Sequence, residues 1–212
     1  MTDTARRPRR RASSDADKEE RRRQLLAAAK TVFARKGFHA ATIADVAREA
    51  KLSYGSVYWY FDSKDDLIHA LIESEQEALR HSVEAAMRSA ASDDPLAAVR
   101  AAIRATFVFF ESDSRATKLL FRDALALGGA VEKHVHGIYE RFIVDVERAI
   151  VAGQRAGVLA DAPAHLAAYS VAALIGQLAQ RRSQTDDGID AEAMADFVVW
   201  FLMDGLRKRD PS

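Results

Sequence analysis

The stretch from residue 42 to 67, TIADVAREAKLSYGSVYWYFDSKDDL, constrains the fold most, because it predicts two short helices joined by a tight turn. Thr42 occupies an N-cap position, and Asp45, three residues later, is a short form of the capping-box acid. The segment 51–53 has the three-to-four-residue length that a helix-turn-helix uses. Apolar residues at helical spacing give the first of these helices one buried face: Ile43, Val46, Ala47 and Ala50.

The second helix of this stretch, capped by Ser53, is rich in aromatic side chains. Val57 and Phe61 lie four residues apart, which assigns them to the core. Gly55 costs roughly 1 kcal/mol relative to Ala inside a helix, so its presence indicates close approach of another backbone. The remaining faces are left to residues suited to a nucleic-acid surface: Tyr54, Ser56, Tyr58, Trp59 and Tyr60. We therefore interpret the stretch as a DNA-binding helix-turn-helix.

Charge is distributed unevenly along the chain, although the net charge is zero. Residues 1–64 carry 15 Lys or Arg against 8 Asp or Glu, hence +7, whereas residues 65–212 carry 16 against 23, hence −7. A charge run is usually a solvated face, but this excess coincides with the helix-turn-helix and indicates an electrostatic footprint for phosphate. Residues 1–17 include five arginines and are expected to form a disordered basic arm. Such an arm either reaches DNA or serves only as a solubilising tail.

The rest of the chain predicts helices. The first helix covers about 18–36 and ends at Gly37, and a long fourth helix runs from 64 to about 90. The fold class is therefore all-α with about nine helices: a helix-turn-helix DNA-binding domain of three helices at 18–64, joined to a C-terminal helical ligand-binding and dimerisation domain at 65–212. The five further helices are predicted near residues 95–112, 114–127, 129–156, 163–183 and 190–208.

The segment 21–72 resembles the DNA-binding region of the TetR/AcrR family of bacterial transcriptional regulators. That region reads as an Arg, an apolar helix ending in Phe and Gly, a Thr-Ile-Ala-like second helix, and Ser-x-Gly-x-x-Tyr-x-x-Phe-x-x-Lys. One departure is Lys51, where the family commonly has Gly, so either the turn differs or Lys51 adds a phosphate contact. The matching residues, all in register, are Arg23, LLAAAKTVF (25–33), Gly37, Phe38, Thr42, Ile43, Ala47, Ser53, Gly55, Tyr58, Phe61, Lys64 and Leu67.

The resemblance implies a ligand-responsive, sequence-specific regulator, a repressor released from a palindromic operator on double-stranded DNA by a small apolar molecule. The alternative is a helical small-molecule binding or scaffold protein with only non-specific DNA affinity. Base readout is assigned to Tyr54 and Ser56, with Gly55 permitting close approach. The complete predicted DNA-binding set is Arg23, Thr42, Lys51, Ser53, Tyr54, Gly55, Ser56, Tyr58, Trp59, Tyr60 and Lys64.

The helices at 163–183 and 190–208 are predicted to form a homodimer, as the corresponding helices do in the resembling family. Two half-sites on DNA require a two-fold dimer, whereas spacing alone would equally permit both helices to be core. The first helix offers small residues for close approach: Ala167, Ala168, Ala172, Ala173, Gly176 and Ala179. The second offers a larger apolar set: Met194, Phe197, Val198, Phe201 and Leu202.

The middle helices are where we expect an effector to bind. They carry an aromatic-rich apolar set with a few polar residues among them, which is typical of a small-molecule site, although such stripes are more often plain core. An apolar pocket fits fatty acyl compounds, steroids or aromatic drugs equally well, and an acyl-type effector is favoured only because long apolar helices make long cavities. The predicted effector-binding residues are Phe107, Phe110, Phe121, Arg122, His136, Tyr139, Phe142 and Gln177.

Other function classes find little support in the sequence. No Gly-rich phosphate loop or nucleophile elbow is present, so no enzyme activity and no cofactor are expected. Glu132, His136 and Glu140 lie four residues apart and would place three metal ligands on one helix face, but an isolated set of this kind is usually solvated. Cysteine is absent, and no apolar run is long enough for a membrane span. A cytoplasmic protein without a membrane partner is therefore expected.

Overall fold

The structure is a computed structural model and describes residues 15–90, 95–113, 128–184 and 188–206. Its regular elements in these ranges are helices, which confirms the all-α prediction, and none of them is long and apolar enough to cross a membrane. The helix predicted at 114–127 and most of the basic arm lie outside the described residues. The eight described helices are α1 (Asp15–Lys36), α2 (Ile43–Glu49), α3 (Tyr54–Tyr58), α4 (Lys64–Ser89), α5 (Pro95–Ser112), α6 (Gly129–Arg155), α7 (Ala164–Gln184) and α8 (Ala191–Leu206).

Helices α1 to α3 form the N-terminal head, and local capping sets their ends. Gly37, at φ 76°, ends α1 and donates its amide to the Phe33 carbonyl at 2.8 Å. Thr42 accepts from the amide of Asp45 at 3.2 Å, and the Asp45 carboxylate accepts from the Thr42 amide at 3.1 Å, so the predicted capping box begins α2. Ser53 caps α3 by accepting from the amide of Ser56 at 3.2 Å.

The turn between α2 and α3 keeps a left-handed residue although it lacks glycine. Lys51 adopts φ 54°, and it is the one non-glycine residue in the described ranges with a positive φ. This conformation costs an ordinary L-residue roughly 1–2 kcal/mol. On the two sides of the turn Val46 and Val57 are fully buried, so α2 and α3 are both fixed in the core.

Helix α4 joins the head to the C-terminal helices, which we call the body. Ser63 caps α4 by accepting from the Asp66 amide at 2.9 Å, and Leu67 and Ile68 in its first turns are fully buried. The same helix then packs against α1, α5 and α6. One continuous buried cluster therefore extends from Phe33 in the head to Phe107 in the body.

In the body, α5 lies against α4 and α8, whereas α6 pairs with α7. Two ion pairs tie α5 to α8: Arg100 with Asp196 at 2.6 Å, and Arg104 with Glu192. A second, smaller buried cluster fills the space between α6 and α7 and consists of Ile143, Ile150, Ala168 and Ala172. Small residues on α7 therefore permit close packing within the chain.

The apolar residues predicted to face a partner subunit are divided between two environments. Ala168, Ala172 and Ala179 on α7, and Met194 and Val198 on α8, are buried inside the chain. The outer faces of these two helices nevertheless expose large apolar side chains: Leu166, Tyr169, Phe197, Trp200 and Phe201. We call these five residues the outer apolar face.

Candidate nucleic-acid interface

Helix α3 presents its aromatic side chains outward. Val57, fully buried, fixes the inner side of this five-residue helix, and Phe61, which follows it, is buried as predicted. On the opposite side Tyr54, Tyr58 and Trp59 are exposed by 55%, 43% and 63%. Large aromatic groups are rarely left in water at this density, so the surface is suited to contact with a partner.

The exposed aromatic rings are ordered by contacts with one another. The rings of Tyr54 and Tyr58 lie with centroids 5.0 Å apart, and the Tyr54 hydroxyl donates to the Tyr58 hydroxyl at 3.2 Å. The hydrogen bond that Tyr58 shares with Tyr54 is the main cause of a raised pKa at Tyr58. Trp59 stacks edge-on against Tyr60, with centroids 4.6 Å apart. The Tyr58 hydroxyl and the Trp59 indole N–H, both on exposed side chains, can therefore donate to phosphate or base edges.

Ser56 and Gly55, both assigned to the reading side, differ in what surrounds them. Ser56 is half-buried, and its hydroxyl lies 2.7 Å from that of Ser53. A Cβ placed on Gly55 would meet no atom within 4 Å, and its φ is not positive. Neither packing nor backbone conformation within the protein therefore requires glycine at this position.

The first turns of α1 supply cationic side chains to the same surface. The Lys18 ammonium lies 5.8 Å from the centre of the Trp59 ring, and the Arg22 guanidinium lies 5.7 Å from the centre of the Phe61 ring. Arg23, the predicted contact on this helix, is exposed and pairs with Glu20. Lys18 is not among the predicted site residues, because only its distance from the Trp59 ring marks it.

The ammonium of Lys64 forms hydrogen bonds with backbone carbonyls of the protein itself. It donates to the carbonyls of Phe38, Ala41 and His39 at 2.8, 3.0 and 3.3 Å, and it lies 4.4 Å from the centre of the Phe38 ring. An ammonium group has three N–H donors, so these three carbonyls match its full donor number. A cation at the start of α4 opposes the helix dipole, and here the carbonyls compensate for it. The predicted phosphate contact of Lys64 stays a prediction that requires one of these bonds to open.

Asp45 anchors the start of α2 to α1. Its carboxylate lies 2.8 Å from the Lys36 ammonium and 3.3 Å from Arg48, and it accepts from the Thr42 hydroxyl at 2.9 Å. The hydrogen bond from Lys36, followed by that from Thr42, holds the pKa of Asp45 far below its usual range. Thr42 is an exposed residue, but its hydroxyl is already hydrogen-bonded in the cap of α2. Lys51, in the turn after α2, is also exposed.

The predicted effector set is not gathered in one place by the described residues. Phe107 and Phe110 are buried in the body, and Tyr139 is half-buried with its ring centroid 6.4 Å from that of Tyr169. His136, Phe142 and Gln177 are exposed, while Phe121 and Arg122 lie outside the described residues.

A shallow groove of about 390 Å³ lies on the outer side of α6, lined by residues between Val144 and Arg155. It contains none of the predicted effector residues. His136 pairs with Glu140 at 3.6 Å, but no group of three His, Asp or Glu side chains in the described ranges could hold a metal ion.

Comparison with known proteins gives matches that centre on the head. Residues 25–71 match the family described as bacterial regulatory proteins, tetR family. The HTH-type transcriptional activator FasR of Mycolicibacterium smegmatis is 34% identical over 96 residues, which cover 45% of this chain and 43% of that protein. The HTH-type transcriptional regulator TtgR of Pseudomonas putida is 32% identical over 92 residues, or 43% of each chain. The chain thus matches less than half the length of these curated relatives.

Solved structures extend the similarity in fold to the body. The fatty acid degradation regulator FadR from Bacillus halodurans has a TM-score of 0.78 at 18% identity, covering 87% of this chain and 99% of that one. FadR from Bacillus subtilis, solved in complex with stearoyl-CoA, has a TM-score of 0.77 at 18% identity, covering 86% and 98%. At these identities the likeness shows a shared fold and nothing further.

Proposed function

The chain belongs to the TetR family of bacterial regulatory proteins, and we propose that it is a DNA-binding transcriptional regulator whose α3 reads an operator. The observation that carries the proposal is the exposed aromatic surface of α3, fixed from behind by Val57 and flanked by cations from α1. Such a surface matches the needs of a recognition helix, since it offers donors and apolar edges to the major groove. The family is one of regulators, and no enzymatic activity is proposed. Because its target is the chromosome, we place the protein in the cytoplasm.

Two substitutions on α3 separate positioning from sequence readout. Tyr58→Phe removes the hydroxyl that accepts from Tyr54, and we expect it to weaken binding to all DNA sequences alike. Ser56→Ala changes a side chain on the base-facing side, and we expect it to alter which sequence is preferred. Both variants are compared by selection from a randomised DNA pool. Equal losses on every sequence for both variants would contradict the readout role of Ser56. They would favour the alternative, a helical protein with only non-specific DNA affinity.

We further propose that the protein acts as a homodimer through α7 and α8. The outer apolar face supports this, because five large apolar side chains are exposed on these two helices and operator recognition by this motif uses two half-sites about 34–36 Å apart. Trp200→Glu should yield monomers in sedimentation experiments and weaken operator binding. Trp59→Glu is the matched control, since it changes an equally exposed tryptophan in the head and should leave the dimer intact. Dimers that persist in Trp200→Glu and dissociate in Trp59→Glu would contradict this interface.

For the effector, we propose a small apolar molecule of acyl type that binds in the body and releases the operator. Support comes from the buried Phe107 and Phe110 between the helices of the body and from the fold shared with FadR of Bacillus subtilis, which was solved with stearoyl-CoA. An effector shifts DNA affinity only as far as it prefers one conformation. Titration of stearoyl-CoA into the operator complex should release DNA, whereas coenzyme A alone should not. Equal release by both molecules would indicate competition by charge and would contradict an acyl site.

The proposed direction of regulation is repression. FasR of Mycolicibacterium smegmatis is described as an activator, so the opposite sign occurs among the relatives. A reporter placed behind the recovered operator should rise in expression when the gene for this protein is deleted. A fall in expression would identify activation instead.

A further inference from the structure

Lys30 connects the DNA-reading head to two parts of the body at once. It lies on α1, and its ammonium is 2.7 Å from Glu75 of α4 and 2.7 Å from Asp113, which follows the end of α5. The Lys30 and Asp113 partners are 83 residues apart in sequence. The contact therefore ties together three segments that the chain itself does not hold in register.

The cluster of Lys30, Glu75 and Asp113 is largely withdrawn from water. The three side chains are exposed by 17%, 10% and 24%. Burial alone lowers the pKa of Lys30, but the hydrogen bonds to Asp113 and Glu75 outweigh it and raise the pKa, so the lysine stays charged. A buried cation with two carboxylate partners has few alternative geometries, because moving the lysine away leaves two buried carboxylates without their cation.

Asp113 directly follows α5, the helix that carries Phe107 and Phe110, two of the predicted effector-binding residues. Phe110 lies one helical turn before Asp113 on α5, and its side chain is buried in the core of the body together with Phe107. A displacement of the end of α5 would move the Asp113 carboxylate relative to Lys30. Charge-assisted hydrogen bonds at 2.7 Å weaken steeply on such a displacement.

We infer that Lys30, Glu75 and Asp113 are positioning residues that set the orientation of the reading head on the body, and that α5 acts on the head through Asp113. The inference rests on the proposed DNA-binding function and adds the contact through which the body controls it. Lys30 acts through the placement of α3 and touches no phosphate. Its removal lowers the fraction of molecules in which the head is correctly oriented, which raises the apparent Kd in proportion.

Three variants test the cluster. Lys30→Met removes the cation, and Asp113→Asn removes only the charge at the end of α5, leaving the pair of Lys30 and Glu75 intact. Arg35→Met is the matched control, because Arg35 lies on the same helix but pairs at 3.3 Å with Glu49 inside the head. Asp113→Asn keeps the test informative even if Lys30→Met fails to fold.

Head orientation is measured first, without DNA. The chain has no cysteine, so spin labels attach only at Ala40→Cys in the head and Ala149→Cys on α6, both exposed positions. Labelled protein is mixed with an excess of unlabelled protein, which leaves the intrachain distance dominant. We expect a broader distance distribution for Lys30→Met and Asp113→Asn than for the parent, and an unchanged distribution for Arg35→Met.

Operator binding is measured next against salt concentration. Lys30→Met and Asp113→Asn should weaken binding about 3- to 10-fold if the correctly oriented fraction falls to between a third and a tenth. The slope of log Kd against log salt should not change, because no phosphate contact is lost.

Folded Lys30→Met and Asp113→Asn variants with the parent's distance distribution would overturn the inference. So would an Arg35→Met variant that broadens it as much. If the parent protein itself binds no operator, the proposed function fails, while the label distances still test the positioning role on their own.

Discussion

Replacing Lys64 with Met distinguishes a structural role of this lysine from a role in phosphate binding. The substitution keeps the length of the side chain and removes the ammonium, which donates at 2.8, 3.0 and 3.3 Å to carbonyls of Phe38, Ala41 and His39. Hydrogen bonds to charged groups contribute roughly 1.5–3 kcal/mol each when the partner is left buried. Lys64 is half-buried and only two of the three bonds are partly buried, so water compensates for much of the loss.

We therefore expect Lys64→Met to lower the free energy of unfolding by about 2–3 kcal/mol, from the per-bond value discounted for exposure. For a chain of this length each kcal/mol shifts Tm by roughly 2–4 °C, which predicts a fall of about 4–12 °C. Operator binding should keep its dependence on salt, since each phosphate contact contributes about 0.9 to the slope and none is lost. Differential scanning calorimetry and binding titrations at several salt concentrations measure the two quantities.

Lys51→Met is the matched control for Lys64→Met. Lys51 is exposed, and Lys51→Met keeps a non-glycine side chain at φ 54°. The free energy of unfolding of this variant should therefore hardly differ from that of the parent. If Lys51 contacts phosphate, the slope of log Kd against log salt should be smaller by about 0.9 for Lys51→Met than for the parent. An unchanged Tm together with a reduced slope for Lys64→Met would refute the structural role and restore Lys64 to the phosphate-binding set.

Two further predictions concern a glycine and a histidine. Gly55→Ala should stabilise the protein by up to about 1 kcal/mol, because no atom opposes the added methyl. The same substitution should weaken operator binding about tenfold, or roughly 1.4 kcal/mol. Parent-like affinity would mean that no DNA backbone approaches Gly55. Burial, followed by the charge of His69, lowers the pKa of His134, whose Nε2 has no hydrogen-bond partner among the residues that the structure describes. The native state therefore binds fewer protons at His134 than the unfolded chain does. The contribution of neutral His134 to the free energy of unfolding is present above about pH 6.5 and is lost as pH falls through the lower native pKa. Urea unfolding at pH 7.5 and 5.5 should show that the free energy of unfolding falls more for the parent than for His134→Gln. Equal falls for the two proteins would contradict this role of His134.

The elements of the head could be predicted because their signals are local. The capping residues Thr42, Ser53 and Ser63, and the glycine that ends α1, act within one turn of their own position, so the sequence places them well. The assignment of Val57 to the core also follows from spacing alone. The conformation of Lys51 shows that a turn can keep its geometry when the expected glycine is absent.

What the sequence could not predict depends on distant partners. Lys64 reaches carbonyls 23 to 26 residues away, and Lys30 reaches Asp113 across 83 residues, so neither role has a local pattern. Periodicity identified the apolar residues of α7 and α8 but not which of them are covered by neighbouring helices. Met194 is buried whereas Phe197 is exposed, because α5 covers one side of α8 and leaves the other free.

Selection of genomic DNA fragments by the purified protein at physiological salt tests the central claim most directly. We predict recovery of a palindrome whose half-sites lie one helical turn apart, about 34–36 Å from centre to centre, bound by a dimer. Recovery of unrelated fragments whose binding disappears as salt rises would contradict sequence-specific recognition and leave only electrostatic attraction to DNA.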